Sequence, residues 1–382
     1  MTLPFDSNGI GRVCVSGTLA IAVVSMASAA ATPSFMGLGY LHPQGSPSVA
    51  FGVSGDGSVV VGRSRNSTVN GRGEAFRWTE AAGMVSLGDL PGGDFNSQAI
   101  SVSADGLTIV GSGRSVLSGS FEEAMRWTQA TGMTGLGFLP GGWNSSSAAD
   151  VSADGSTIVG YSHSQIGDQA FRWTPQDGMM SLGIADSSAT GVSDDGNVIV
   201  GSVGTPRRPF RWSAQMGFQN LGLPPNGAIS GIAEDVSADG ATVVGWTRKP
   251  VGDLDAFAWQ EGSGYEMLGY LPGDTESAAQ AASADGSRIV GYSRRIEFRA
   301  VLWDGANGIR DLKQMLEADF ELNLTGWNLI SAYAISNDGN TIVGDAYNPN
   351  GLIEAYRAVI PEPASALLAL ASLAFCLTRR RH

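Results

Sequence analysis

The residues able to do chemistry in this chain are carboxylates, arginines and a few loop aromatics. Seven aspartates, Asp56, Asp105, Asp154, Asp195, Asp239, Asp285 and Asp338, stand immediately before the glycine of a recurring ten-residue phrase. Asp194-Asp195, or loop acids such as Asp94, Asp274 and Glu276, could supply oxygen ligands to calcium. Calcium loops, however, alternate their acids along the chain, and no segment here does so. Solvated turn carboxylates are the plainer reading. Five arginines, Arg77, Arg126, Arg172, Arg211 and Arg357, recur at one position and could ring an anion, but Ala258 and Leu302 break the ring. Partial burial, with hydrogen bonds to nearby carbonyls or acids, is expected instead. Phe95 and Trp143 lie in the polar connectors "LPGGDFNSQ" and "LPGGWNSSS". They are the candidate ligand contacts, suited to stacking on carbohydrate or to stapling neighbouring elements.

Other chemistry finds little support. Three histidines, His42, His163 and His382, and two cysteines, Cys14 and Cys376, leave no imidazole cluster, disulfide framework or cysteine metal site in the middle of the chain. The glycine-rich "GLGYLHPQG" lacks the lysine and spacing of a phosphate-cradling loop. No catalytic, cofactor-binding or metal-ligating set is predicted. The formal net charge is −13; residues 1–31 carry no net charge and residues 361–382 carry +2, which leaves −15 on the middle. So acidic a surface repels phosphate backbones, and nucleic acid is not an expected partner.

The elements that must hold these side chains repeat. "VSADGSTIVG" at Val151 has near-copies beginning at Val53, Val102, Val192, Val236, Ala282 and Ile335. Each copy reads as two short strands joined by an Asp-Gly hairpin turn whose two residues take positive φ. A second signature follows, from "AFRWT" at Ala75 to "AYRAV" at Ala355, and then a third, such as "GMVSLG" at Gly83. Four strands in 41 to 53 residues is the size of one β-propeller blade. Seven units predict seven blades. The seventh lacks its "GM..LG" strand, whereas the folded part begins with an orphan strand, "FMGLGYL" at Phe35–Leu41. That strand is expected to close the ring and remove its edges. The tryptophans Trp78, Trp127, Trp173, Trp212, Trp259 and Trp303 follow an apolar residue two places on, hence on one strand face, and are expected in the core between blades rather than as sugar platforms. The longest insertion, Asp311 to about Ile330, opens with a short amphipathic helix bearing Leu312, Met315, Leu316 and Phe320 on one face.

The two ends read as addresses. "GRVCVSGTLAIAVVSMASAAATPS" has one arginine, an apolar run and small residues near Ala29 and Ala31, the layout of a secretory signal peptide; a retained N-terminal helix is the alternative. At the other end Pro361, Glu362 and Pro363 precede a short apolar run, expected to form a C-terminal membrane helix, and then Arg379, Arg380 and Arg381. These last two dozen residues closely resemble the PEP-CTERM sorting tail of Gram-negative bacteria, a domain also catalogued as an ice-binding-protein C-terminal domain. The resemblance implies handling by an exosortase-like machinery at the inner membrane and delivery to the cell surface or extracellular matrix.

The middle, over about residues 35–360, is similar to the HAF-repeat extracellular proteins through "LGDLPGG" (Leu87–Gly93), "LGFLPGG" (Leu136–Gly142) and the units above. The histidine of their His-Ala-Phe motif is absent from every unit, its place taken by Glu74, Glu123, Gln169, Arg208, Asp255, Arg299 and Glu354. The resemblance implies no reaction. The expected layout is a signal peptide over 1–31, an all-β seven-bladed propeller over 32–360 and a sorting segment over 361–382. The expected role is a non-catalytic surface protein binding exopolysaccharide or another envelope component. The alternatives are an extracytoplasmic glycan-active enzyme using loop carboxylates, which would converge at one end of the central channel, and a structural coat component.

Overall fold

The structure, a computed structural model, describes residues 32–42, 47–66 and 72–361. Among these, twenty-eight strands form seven four-stranded antiparallel sheets, the blades of a propeller. Blade 3 shows the plan: the inner strand Ser146–Val151 pairs with Ile158–Ser164, then Gly167–Thr174, then the outer Gly178–Ala185. The other inner strands are Ser48–Val53, Gly92–Val102, Ser187–Val192, Ser230–Val236, Glu276–Ala282 and Asn328–Ile335. The repeated signatures therefore run from axis to rim in the order in which the chain writes them.

Blade 7 takes its outer strand from the start of the chain. Ser34–Gly37 pairs antiparallel with Ile353–Val359, Ser34 opposite Val359 and Gly37 opposite Tyr356. Phe35 sits edge-on to Trp327 at 5.1 Å and 5.7 Å from the Tyr356 ring. Closure of this kind leaves no open sheet edge between first and last blades.

The Asp-Gly loop departs from the expected two-residue turn. In blade 3 Ser152 N donates to Thr157 O and Gly155 N to Ser152 O, both at 2.9 Å, so four residues make the loop. Only the glycine has positive φ, 72° at Gly155; the aspartate keeps ordinary backbone angles because its carboxylate serves the loop instead. Asp154 Oδ1 accepts from Ser152 Oγ at 2.8 Å and from Ser156 N at 2.9 Å, while Thr157 N donates to Ser152 Oγ at 3.0 Å. These bonds hold the Asp154 carboxyl below the usual carboxylate range. The same pattern recurs at Asp56, Asp195, Asp239 and Asp285. The abundant Asp-Gly pairs are loop staples.

The glycine that ends each decapeptide is demanded by close approach. A Cβ at Gly160 would stand 2.0 Å from Ser147 O, and one at Gly62 2.0 Å from Val49 O. The neighbouring inner strand bulges at that level, the register skipping from Ala148 to Asp150 in blade 3.

The hydrophobic core is divided among the blade junctions. Between blades 2 and 3, for example, Val110 and Ala124 meet Ala148, Val151, Ile158 and Phe171. The side chain two places before each tryptophan position is wholly buried: Phe76, Met125, Phe171, Phe210, Phe257, Val301 and Tyr356. Trp78, Trp259 and Trp303 are buried as expected, whereas Trp127, Trp173 and Trp212 are half-buried and pack against the clusters from their edge. The expected helix forms over Leu312–Phe320, capped by Asp311, with Leu312, Met315 and Leu316 buried against blades 6 and 7. No helix among the described residues is long and apolar enough to cross a membrane. The expected signal peptide and the tail from Glu362 onward lie outside the described residues.

Candidate functional site

Each inner strand carries its bulge inside the phrase Ala-x-x-Val or a close variant of it. The two residues between the alanine and the next apolar position turn toward the axis and line a channel enclosing about 260 Å³. The repeats differ in chemistry at these two places. The first of the two is Phe51, Ile100, Ala149, Thr190, Glu234, Gln280 and Tyr333 in blades 1 to 7; the second includes Ser101, Asp150 and Asp235.

Acids converge here. Asp150 Oδ1 accepts from Ser101 Oγ at 2.6 Å and its Oδ2 from Val192 N at 2.8 Å, so one carboxyl joins blades 2, 3 and 4. Asp235 accepts from Val236 N at 2.7 Å and, across the next junction, from Ala282 N at 2.9 Å. Glu234 Oε1 accepts from Trp246 Nε1 at 2.7 Å. Removal from bulk water raises all three acids, Asp150 to about 6, Asp235 to about 7 and Glu234 to about 7. Asp150 adds to the rise at Asp235, since like charges facing one channel disfavour joint ionisation. Beyond them Asp345 is raised by burial to about 6, and Tyr333, 5.6 Å from the Phe51 ring, to about 12 by burial and then by Asp345. These acids therefore take up protons at a higher pH than free carboxylates do, and once protonated they can donate as well as accept hydrogen bonds.

The two mouths differ. At the Asp-Gly end, backbone bonds link successive loops: Gly55 N to Ala104 O, Ala104 N to Ala153 O, and onward to Ala284 N with Asn337 O, at 3.0–3.1 Å. Asn337 Nδ2 also donates to Asp194 Oδ2 at 2.9 Å across the ring. The opposite mouth is framed by the connectors that enter the inner strands.

Trp143 lies on that opposite face and is 65% exposed, which favours a contact surface over a buried staple. Its ring stacks with Phe121 at 5.8 Å and with His163 at 4.7 Å. Phe95 is not in a free loop: it falls within the inner strand of blade 2, in a stretch left unpaired between Gly92 and Ser97, and is half-buried. The loop acids are already neutralised, Asp94 by Arg72 at 3.0 Å, Asp274 by Arg299 at 2.7 Å and Glu276 by Arg294 at 2.9 Å. Among the described residues no group of three or more His, Cys, Asp or Glu could hold a metal ion. At the position of the missing histidine, Glu123 accepts from Gly137 N at 3.1 Å and Glu354 from Gly39 N at 2.9 Å, holding outer loops in place. Of the sorting motif only Pro361 is described; Glu362, Pro363, Arg379, Arg380 and Arg381 lie outside the described residues.

The channel acids lie on the inner strands and not in the connectors from which the sequence predicts ligand contacts. Aligning the units shows the signal: Ala-Phe-Gly-Val, Ala-Ile-Ser-Val, Ala-Ala-Asp-Val and Ala-Glu-Asp-Val vary only at the two bulged places.

No family model matches the chain, and no curated protein matches it. Solved structures share the fold. An oligogalacturonate lyase in complex with manganese is similar at 11% identity with a TM-score of 0.52, over 87% of this chain and 97% of that one. A puromycin hydrolase S511A mutant complexed with PGG is similar at 14% identity with a TM-score of 0.56, over 82% of this chain and 52% of that one, so the likeness spans about half the hydrolase. A putative TolB from Agrobacterium tumefaciens is similar at 14% identity with a TM-score of 0.43, over 80% of this chain and 99% of that one. At such identities the likeness is one of fold.

Proposed function

We propose that this chain is an exported, surface-sorted propeller that binds exopolysaccharide or another envelope component without catalysis, at the open mouth and walls of its channel. The observation that carries the reading is the contrast within the inner strands. The framework positions repeat, while the bulged positions diversify into aromatic, amide, hydroxyl and acid groups on one lining. Such a mixture suits a polyhydroxylated ligand, whose ring faces pack on aromatics and whose hydroxyls need both donors and acceptors. The exposed Trp143 stack belongs to the same face. Export and sorting rest on the terminal segments, with an exosortase-like partner acting at Pro361-Glu362-Pro363.

A glycan array followed by titration calorimetry tests the reading. Binding to at least one acidic or neutral polysaccharide is expected, weakened about tenfold or more by Tyr333→Ala or Glu234→Gln. No binding above background across bacterial exopolysaccharides rejects it. Cell fractionation after replacing Pro361, Glu362 and Pro363 with alanine tests the sorting step, with loss of surface display expected.

A second reading, a glycan-active enzyme, is favoured by one observation: Glu234, raised to about 7, shares the channel with Asp150 and Asp235. Against it, both aspartates spend both oxygens on the protein, Asp150 on two neighbouring blades and Asp235 on Val236 N of its own strand and Ala282 N of the next blade. Chain-length analysis of bound polysaccharide separates the two: shortening that Glu234→Gln abolishes would establish the enzyme.

A further inference from the structure

The recurrent arginine of the third strand lies at the blade junctions. Arg126 and Arg172 donate to Thr108 and Thr157 Oγ1 at 3.3 and 3.2 Å. Arg211 Nε reaches across to Gly240 O of the next blade at 3.4 Å, and Arg357 Nε to Gly57 O at 3.1 Å. The Arg357 guanidinium also lies 5.9 Å from the ring centre of Trp78, the tryptophan of that next blade. Leu302 takes the position in blade 6, yet a guanidinium still fills the junction, because Arg288 Nη1 donates to Gly339 O at 2.7 Å.

The junction between blades 5 and 6 is different. Ala258 holds the arginine position, and a cavity of about 330 Å³ opens between it and Gly286 and Trp303 of blade 6. The groups that meet arginines elsewhere line it: the Asp-Gly glycine Gly286, the ring of Trp303, and Thr242, whose Oγ1 here accepts from Gln260 Nε2 at 2.9 Å. Strand register adds a charge. Ala258 pairs directly with Glu266, so the two side chains share the face turned to the cavity. The residue opposite the arginine is Val85, Thr134, Met180, Gln219 or Met36 in the five blades that have one, and never an acid. Where the cation is missing, an anion has been added. The nearby Asp304 is already paired with Arg310 at 2.6 Å, which leaves Glu266 as the open counter-charge.

We propose that the blade 5/6 junction is a binding site for an alkylguanidinium group, seated where the other junctions place an arginine of the chain itself. The alkyl stem would enter past Ala258 and Met267, the planar cation would lie toward Trp303, and Glu266 and the Gly286 carbonyl would accept its hydrogen bonds. The group can come from a free small molecule or from an arginine side chain of a polypeptide.

Calorimetry on the full chain tests this with agmatine, and in a second arm with a short capped peptide containing one arginine; citrulline-containing and lysine-containing analogues serve as probes of charge and shape. Agmatine binding at least tenfold tighter than the lysine-type amine, with none for the neutral citrulline form, is expected. Binding of agmatine alone points to a small molecule, and tighter binding of the peptide to a polypeptide. Ala258→Arg should fill the slot from within, raise the melting temperature and abolish binding. Glu266→Gln, a change on an exposed outer strand, should weaken binding about tenfold while leaving the fold intact. Failure of agmatine and the peptide to bind, or unchanged binding by Glu266→Gln, overturns the proposal.

Discussion

Asn337 Nδ2, in blade 7, donates to Asp194 Oδ2, in blade 4, at 2.9 Å. Two blades cannot lie further apart round a ring of seven, so this bond crosses the channel at its Asp-Gly mouth. The third residue of the decapeptide is glycine or alanine in every other repeat, Gly55, Ala104, Ala153, Ala238 and Ala284. Only the two polar exceptions meet. Burial raises the Asp194 carboxyl, Asn337 works in the opposite direction, and the adjacent Asp195 charge adds to the rise. The amide thus offsets part of the rise at a half-buried acid.

Asn337→Asp turns that donor into a second carboxylate. At neutral pH two like charges would face each other across the mouth, and a loss of about 1–3 kcal/mol is expected. The loss should shrink on moving to about pH 4, where the pair shares protons. Urea unfolding at the two pH values reads both effects; equal midpoints for variant and parent at pH 7 would show that the bond does not bear on stability.

Gly160→Ala places a methyl 2.0 Å from the Ser147 carbonyl, a distance no rotamer change can relieve because both partners are backbone. The inner strand must move, at a cost of about 3 kcal/mol or more. Gly305→Ala is the control, with nothing within 4 Å of the added methyl and no positive φ, and should change stability by less than about 1 kcal/mol. Thermal melts of the pair decide the matter, and similar melting temperatures would mean the bulge has slack that its geometry denies.

The architecture was legible because its causes are local and repeated. Asp-Gly loops, strand-length apolar alternation and a missing outer strand are each visible in a few residues, and the partner of Ser34–Gly37 follows from counting. The turn departs from its dipeptide in one respect: an Asp-Gly hairpin gives positive φ to both residues, but here Ser152 and Ser156 recruit the Asp154 carboxylate and leave the left-handed conformation to Gly155 alone. The channel site was not legible in the same way. Asp150 and Asp235 become a site only when bulges in separate blades turn them to a common axis, and no periodicity within one strand announces a bulge. Trp143 was readable as an exposed aromatic, whereas Phe95 was drawn toward the sheet by the length of its strand.

The ring closure makes a prediction that deletion of a whole strand would test only crudely. Phe35→Ala keeps the backbone pairing with Ile353–Val359 but removes contacts to Trp327 and Tyr356. Because Phe35 is half-buried, the expected loss is about 2–3 kcal/mol, below that of a fully buried phenylalanine. Hydrogen exchange should locate the effect, with amides of the blade 7 outer pairs, such as Leu38 N to Ala355 O, losing protection before those of blade 3. Uniform loss over all blades would argue that this strand is no weaker than the rest.

The raised channel acids give stability a slope with pH. The channel acids Asp150, Asp235 and Glu234, and the buried Asp345 on the second strand of blade 7, hold their protons to about 6 or 7 in the folded protein, and in the unfolded chain they release them near 4. The folded state therefore binds more protons between these limits. The stability these groups contribute is fully present below about pH 4 and is lost as pH rises through about 6 to 7. The loop aspartates Asp56, Asp154, Asp195, Asp239 and Asp285 have lowered values, and their contribution runs the other way: present above about pH 4 and lost below it. A maximum on the acid side of neutrality, at about pH 4 to 6, is the expected sum, with the melting temperature falling toward pH 8. Glu234→Gln keeps an oxygen for Trp246 Nε1 but cannot ionise, so it should flatten part of that fall while leaving the acid limb unchanged. A parent protein equally stable at pH 5 and pH 8, or a variant with the parent's slope, would show that the channel hydrates these acids as freely as open water does.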